Sequence, residues 1–324
     1  MIAPIPSGPS AAPGELPPVG VVGGGGFGQA LANAMIRRGR KVQLWSRRRL
    51  ELEGVESTQE LGELKRSELL FLAVPSPYVP ETAEELGKHL DGEHLLVHVS
   101  RGLIGDDLLT LSGVLRLRTA AHRVGVLAGP LDAEALAEGE PTGAIVGSRF
   151  PEVAAAVREA ISSETLRIYE SRDVVGVEIA AAVVGYLALA VGMGQQLGVS
   201  PATVAVALNR GLAEAARWAP SLQADPATLY GLAGQGDLLA VAGGDDRPEV
   251  RLGRALATGA SLEEAGKAAG AHIEGVTIAR RVDAHARKIG EATPVAGMIA
   301  DVVEGRRAPT DAMAALMARE VGTE

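Results

Sequence analysis

The stretch "VGVVGGGGFGQALANAMIRRG" (19–39) decides the fold. It opens on a short β-branched run, passes through a glycine cluster, and ends with Ala30, Leu31, Ala34 and Met35 at helical spacing. Gly23, Gly25 and Gly28 stand in G-x-G-x-x-G order. The first glycine permits a tight turn, the second lets backbone approach a pyrophosphate, and the third lets helix pack closely on strand. Gly26 and Phe27 complete the loop, and the following helix offers its free N–H groups to an anion. A glycine cluster alone could be a plain turn. A strand before it, an amphipathic helix after it, and a second strand "KVQLW" (41–45) point to a dinucleotide-binding βαβ unit.

The end of that second strand bears on which dinucleotide. A site for NAD offers an acid there to hold the ribose 2′-hydroxyl. This chain offers Ser46, Arg47, Arg48 and Arg49. Arginines pair with a 2′-phosphate, so NADP(H) is favoured over NAD(H), the alternative being a solvated basic loop.

Four more strands are predicted at "ELLFLAV" (68–74), "LLVHV" (95–99), "VGVLAG" (124–129) and "GAIVG" (143–147). Beyond about residue 170 the strand signals stop, and helical ones cover 176–197, 201–218, 226–233, 249–258, 261–269, 275–289, 294–304 and 310–320. Ser200-Pro201, Asp225-Pro226 and Thr293-Pro294 read as helix starts, and Ser261 with Glu264 has capping-box spacing. The fold class expected is an α/β Rossmann domain with a parallel sheet, followed by an all-α C-terminal domain. The boundaries expected are a disordered arm over 1–17, a dinucleotide-binding domain over 18–175, and a helical substrate and dimerisation domain over 176–324.

Composition removes several functions. The 324 residues include no cysteine, which excludes disulfides, thiolate metal sites and cysteine nucleophiles. No histidine or carboxylate pair has metal-ligand spacing, so no metal is expected. A net charge of −9 disfavours nucleic acid as a partner. The opening lacks a signal-peptide pattern, and a cytoplasmic protein is expected. The uncharged stretch 179–194 is shorter than the ~20 apolar residues of a membrane span. It reads as a buried helix.

In order along the chain, these segments resemble the bacterial NAD(P)-dependent glycerol-3-phosphate dehydrogenase family. The matching marks are "GGGGFGQALA" (23–32), "LAVPS" (72–76), "SRGL" (100–103) and "LAGPLDAEALAEGEPTGAIVGS" (127–148). They continue with "DVVGVE" (173–178), "NRGLAE" (209–214), "GLAGQGDL" (231–238), "LGRAL" (252–256) and "IEGV" (273–276). The resemblance implies a Rossmann domain plus an all-α domain with the site between them, and a homodimer. The implied reaction is hydride transfer between NAD(P)H and dihydroxyacetone phosphate, giving sn-glycerol 3-phosphate. It also implies that Pro75 and Ser76 lie beside the nicotinamide, that Glu274 contacts cofactor, and that Asp237 faces the substrate hydroxyls.

The chemical positions depart from that pattern. Ketone reduction needs a proton donor or a cation against the developing alkoxide. In register with the family's catalytic lysine and the asparagine after it stand Val184 and Gly185. The second family lysine is Arg101, which keeps the charge but is a poor proton donor. Pro248 and Glu249 occupy the register of the phosphate-holding Arg-Asn pair, and Val241 that of a threonine. Replacement donors are His98 on the fourth strand, Tyr186 and Asp237, while His272 is placed to touch cofactor. Three outcomes follow: a working glycerol-3-phosphate dehydrogenase, a divergent oxidoreductase on a non-phosphorylated substrate, or a cofactor-binding pseudoenzyme serving as sensor or partner subunit.

Overall fold

The computed structural model describes residues 16–244, 246–270 and 274–318. Nearly all of the arm expected at 1–17 lies outside the described residues, as does His272. Ten strands run in chain order: β1 (Val19–Val22), β2 (Val42–Trp45), β3 (Val55–Thr58), β4 (Leu69–Leu72), β5 (Leu95–His98), β6 (Leu103–Ile104), β7 (Leu109–Thr110), β8 (Arg123–Ala128), β9 (Thr142–Ser148) and β10 (Leu166–Ser171). Eight form one sheet in the order β10-β9-β8-β5-β4-β1-β2-β3, while β6 and β7 pair as a small hairpin. The glycine loop therefore leaves β1 beside β4, where the strand order reverses, the place where open α/β sheets bind ligands.

The expected parallel sheet holds at every pair but one: β8 and β9 run antiparallel. Between them lies only α4 (Ala133–Glu138), which docks on α1 (Gly26–Arg37). The Arg37 guanidinium donates to the carbonyls of Leu136 and Ala137, so the chain turns back beside β8 instead of crossing over. Strands β3 and β10 carry no clear sequence signal because they are edge strands with polar or exposed side chains along most of their length.

One sheet face buries Val21, Phe71 and Val97 against Leu31 and Met35 of α1 and Val153 and Val157 of α5 (Pro151–Ile161). The other buries Leu70, Leu72 and Leu96 under α2 (Val79–Gly87) and α3 (Leu111–Arg118). The last strand ends at Ser171, and α6 (Val174–Gln196) begins at once, capped by Asp173, which accepts the Gly176 N–H at 2.9 Å. The uncharged stretch is the middle of α6. By length and composition α6 could cross a membrane, but 89% of its most apolar window is buried within this fold. It is the central strut of the helical half.

Around α6 pack α7 (Pro201–Trp218), α8 (Asp237–Ala242), α9 (Pro248–Ala257), α11 (Gly275–Lys288) and α12 (Pro294–Val303), while α10 (Leu262–Ala269) lies on α9 and α13 (Pro309–Met317) on α12. The helix expected at 226–233 is instead a 3₁₀ turn (Pro226–Tyr230) followed by a wide π-type turn (Leu232–Gly236). That wide turn delivers Asp237 to the start of α8.

Candidate functional site

Sterics fix the loop after β1. Gly23 has φ +123°, a left-handed conformation in which a side chain would also strike the Ala73 carbonyl. A side chain at Gly28 would strike the Gly23 carbonyl, so α1 packs directly on the turn. At Gly25 and Gly26 a Cβ would meet nothing within 4 Å. These two glycines line open space at the start of α1, whose first turn has no side-chain cap and no acid. Unspent N–H groups facing open space are able to hold an anion. Phe27 turns the other way and packs on the sheet core. Gln29 Nε2 donates to the Gly24 carbonyl at 2.8 Å and braces the turn.

Ser46 lies against this loop, since a Cβ on Gly24 would meet it at 2.8 Å. Arg47 stacks its guanidinium 5.5 Å from the centre of the Tyr78 ring, while Arg48 and Arg49 are exposed. The basic cluster thus sits at the rim of the cradle with one member anchored.

Ser76, after Pro75, forms the bridge to the helical half. Its N–H donates to Glu274 Oε1 at 2.5 Å and its hydroxyl to Oε2 at 2.6 Å. Gly102 packs so tightly on Ser76 that a Cβ there would overlap the hydroxyl. One residue past Glu274, Gly275 touches the backbone of Gly185, so α11 and α6 meet with no side chain between them. These contacts bring Pro75, Ser76, Arg101, Glu274 and the turn of α6 that carries Val184 and Gly185 to one seam. Arg281 of α11 strengthens it by donating to the Leu103 carbonyl at 2.7 Å.

The sequence assigns Val184, Arg101, His98, Tyr186 and Asp237 to the chemistry, and the structure treats them unequally. Val184 is wholly buried in the apolar core. Lys41, Lys65, Lys88, Lys267 and Lys288 are all exposed, with Lys88 paired to Glu85 and Lys267 to Glu263. His98 is wholly buried, its Nε2 2.8 Å from Glu178 Oε1 and its Nδ1 3.2 Å from the Ser100 carbonyl. Both ring nitrogens are engaged away from the seam. Glu178 also accepts the Ser112 N–H at 2.8 Å and its hydroxyl at 2.5 Å, which ties β5, α3 and α6 together. Tyr186 is buried beyond reach of solvent with its hydroxyl unpartnered. Burial first, and Glu214 second, push its pKa well up, which suits a core residue and not a proton donor.

Asp237 and Arg101 do meet. Asp237 is wholly buried, with Oδ2 3.2 Å from Arg101 Nη1. That contact is electrostatic without hydrogen-bond alignment, so Oδ2 lacks a donor. Oδ1 accepts a hydrogen bond from Arg247 Nη2 at 2.9 Å. Arg247 is a site residue that sequence reasoning missed. It is the cap residue just before Pro248 at the start of α9, one position ahead of the expected Arg-Asn pair. A proline-marked helix start with an arginine at its cap was the available signal. Helix α9 is held against α6 where Gly192 and Gly253 allow backbone contact, which fixes Arg247 over Asp237.

Comparison with known proteins agrees with this geometry. A profile described as NAD-dependent glycerol-3-phosphate dehydrogenase N-terminus matches residues 18–63 and 55–154, and its C-terminal counterpart matches 173–314. The chain is 36% identical to a glycerol-3-phosphate dehydrogenase [NAD(P)+] of Deinococcus radiodurans, over 94% of this chain and 96% of that one. It is 33% identical to one of Ectopseudomonas mendocina, over 90% and 92%. The crystal structure of glycerol-3-phosphate dehydrogenase from Coxiella burnetii superposes with a TM-score of 0.87 at 26% identity, covering 94% of this chain and 99% of that one. With its glycine cradle, its domain seam and its Asp237 cluster in place, the chain belongs to the NAD-dependent glycerol-3-phosphate dehydrogenase family.

Proposed function

We propose that this chain binds a nicotinamide dinucleotide, NADP(H) in preference to NAD(H), and does not turn over glycerol 3-phosphate as the glycerol-3-phosphate dehydrogenases it resembles do. The division of labour proposed is cofactor on residues 18–175 and substrate and a homodimer contact on 176–324, in a cytoplasmic protein. One contrast carries this reading: the cradle at Gly25 and Gly26 stays open, while the wall at Val184 is closed and apolar. The relatives are named for NAD(P)+.

When bound, the dinucleotide supplies a hydride at its nicotinamide. Around it, the α1 N–H groups would hold the diphosphate, and Arg47 and Arg48 would serve the ribose end. The Glu274–Ser76 bridge holds the halves together beside the nicotinamide. What is missing is a proton for the alkoxide, since neither Val184 nor Gly185 has one to give. Loss of a positioned acid costs about 10²–10⁴-fold in rate. Asp237 and Arg101 support a second reading, a divergent oxidoreductase, because a charged pair stands at the seam.

Nicotinamide absorbance after mixing NADPH with dihydroxyacetone phosphate tests the chemistry. Turnover at the rate of a glycerol-3-phosphate dehydrogenase would sink this reading. Thermal shift tests the cofactor: NADPH should stabilise the fold by mass action more than NADH does. No shift from either would remove the claim. Val184→Lys alone should not restore turnover while Pro248 and Glu249 remain.

A further inference from the structure

We infer that Tyr78 is a specificity-determining residue of the cofactor site and that it acts through Arg47. Its ring holds that arginine in place to receive the 2′-phosphate that separates NADP(H) from NAD(H). The inference rests on the dinucleotide reading above and assigns the preference to one of the three arginines that follow β2.

Position is the first argument. Trp45 at the end of β2 and Leu72 at the end of β4 both stand in register with Val22 of β1. Arg47 and Tyr78 follow those two strands, so they flank the glycine loop at the same sheet edge. A dinucleotide whose diphosphate lies at the start of α1 brings its ribose to the end of the second strand. Both residues reach this place on a fixed backbone. The Arg47 carbonyl accepts from Gln59 Nε2 at 2.9 Å, and the Gln59 carbonyl accepts from Trp45 Nε1 at 2.9 Å. Tyr78 follows Pro77, and its N–H donates to the Pro75 carbonyl at 2.9 Å. Both side chains are exposed, so a ligand reaches them directly from solvent.

Unspent donors are the second argument. The Arg47 guanidinium carbon stands over the Tyr78 ring, 5.5 Å from its centre. That attraction is to the π face and occupies no hydrogen-bond acceptor. Among the described residues, no carboxylate pairs with Arg47, Arg48 or Arg49, and no acceptor takes an N–H of their side chains. Arg47 differs from its two neighbours in being held while its donors stay unspent. A phosphate takes two or more N–H groups from a guanidinium fork. An arginine already ordered in the free protein loses less freedom on binding than one the ligand must order. The same ring that orders Arg47 therefore favours the phosphorylated cofactor, and it does so without touching the phosphate.

The test measures dissociation constants for NADPH and NADH by calorimetry on the full chain and its variants. Arg47→Ala should weaken NADPH about tenfold to a hundredfold, the loss of a charge-assisted contact, and leave NADH unchanged. Tyr78→Ala should weaken NADPH about two- to fivefold, the worth of an exposed cation–π contact, again without moving NADH. Tyr78→Phe should keep the wild-type preference. With Arg47→Ala already in place, Tyr78→Ala should change NADPH binding no further, since the ring then has nothing to hold. Both side chains are exposed, so the melting temperatures of the free variants should stay near that of the wild type. The proposal is overturned if Tyr78→Ala weakens both cofactors alike, if Tyr78→Phe behaves as Tyr78→Ala does, or if the preference survives Arg47→Ala. A wild-type chain that binds NADPH no better than NADH would overturn the NADP(H) preference itself, and this proposal with it. A preference that is present but carried by Arg48 or Arg49 would overturn this proposal alone.

Discussion

The glycine loop after β1 and the wall formed by α6 and α8 do their work by different means. In the loop, residue identity follows from backbone contact: Gly23 and Gly28 admit no side chain because carbonyls occupy the space. In the wall, identity follows from chemistry. Val184 fills its place in the core as well as any residue of that shape would. Sterics therefore set the glycines of the loop, while at Val184 an apolar core sets only size and polarity.

Glu178 is the wall's exception, a buried polar residue whose identity packing does fix. Glu178→Ala leaves buried His98 and Ser112 without their shared partner and should cost roughly 3–5 kcal/mol. Denaturant unfolding measures it, and a loss below about 1 kcal/mol would show that the wall tolerates polar change as freely as apolar. Gly28→Ala should cost roughly 1–3 kcal/mol, as overpacking against a carbonyl does, and should weaken NADPH binding as well. Gly25→Ala separates these effects. Its Cβ meets nothing in the protein, so the melting temperature should hardly move while NADPH affinity falls. Equal destabilisation by the two alanines would break the distinction between packing glycine and ligand glycine.

Further down the scale, His285 sits against Trp218 and Ser221 with its pKa lowered from 6.5, mainly by burial and then by Lys288. The unfolded chain takes up a proton at that residue before the folded chain does. Stability should thus decline slightly as pH falls below 6.5, and His285→Gln should flatten that decline. Tyr186→Phe should have the smallest effect, within about 1 kcal/mol of neutral, because the buried hydroxyl it removes has no partner. A large loss would mean that the wall holds a polar contact at Tyr186 as demanding as the one at Glu178.

Much of this was legible in residues that act locally. The run 19–39 gave strand, turn and helix because each glycine has a local steric role, and Ser200-Pro201 and Ser261 with Glu264 started α7 and α10 where expected. Strands β3 and β10 were illegible because edge strands with one partner carry little apolar pattern. The reversal at β9 was illegible because it depends on Arg37 catching the carbonyls of α4, a contact about a hundred residues away in sequence. His98 looked like a replacement donor on the sheet's C-terminal edge, and the sequence could not show Glu178 waiting behind it.

By itself, then, the sequence determined the βαβ start and the division into a sheet half and a helical half. These depend on spacing and side-chain type, which a linear string records. Only the tertiary structure decided that His98 is a buried tie, that Glu274 locks Ser76, and that Arg247 and Arg101 share Asp237. Each of those is a pairing across distant segments, and the energy of a buried polar group is set by the partner that arrives, which no local pattern encodes.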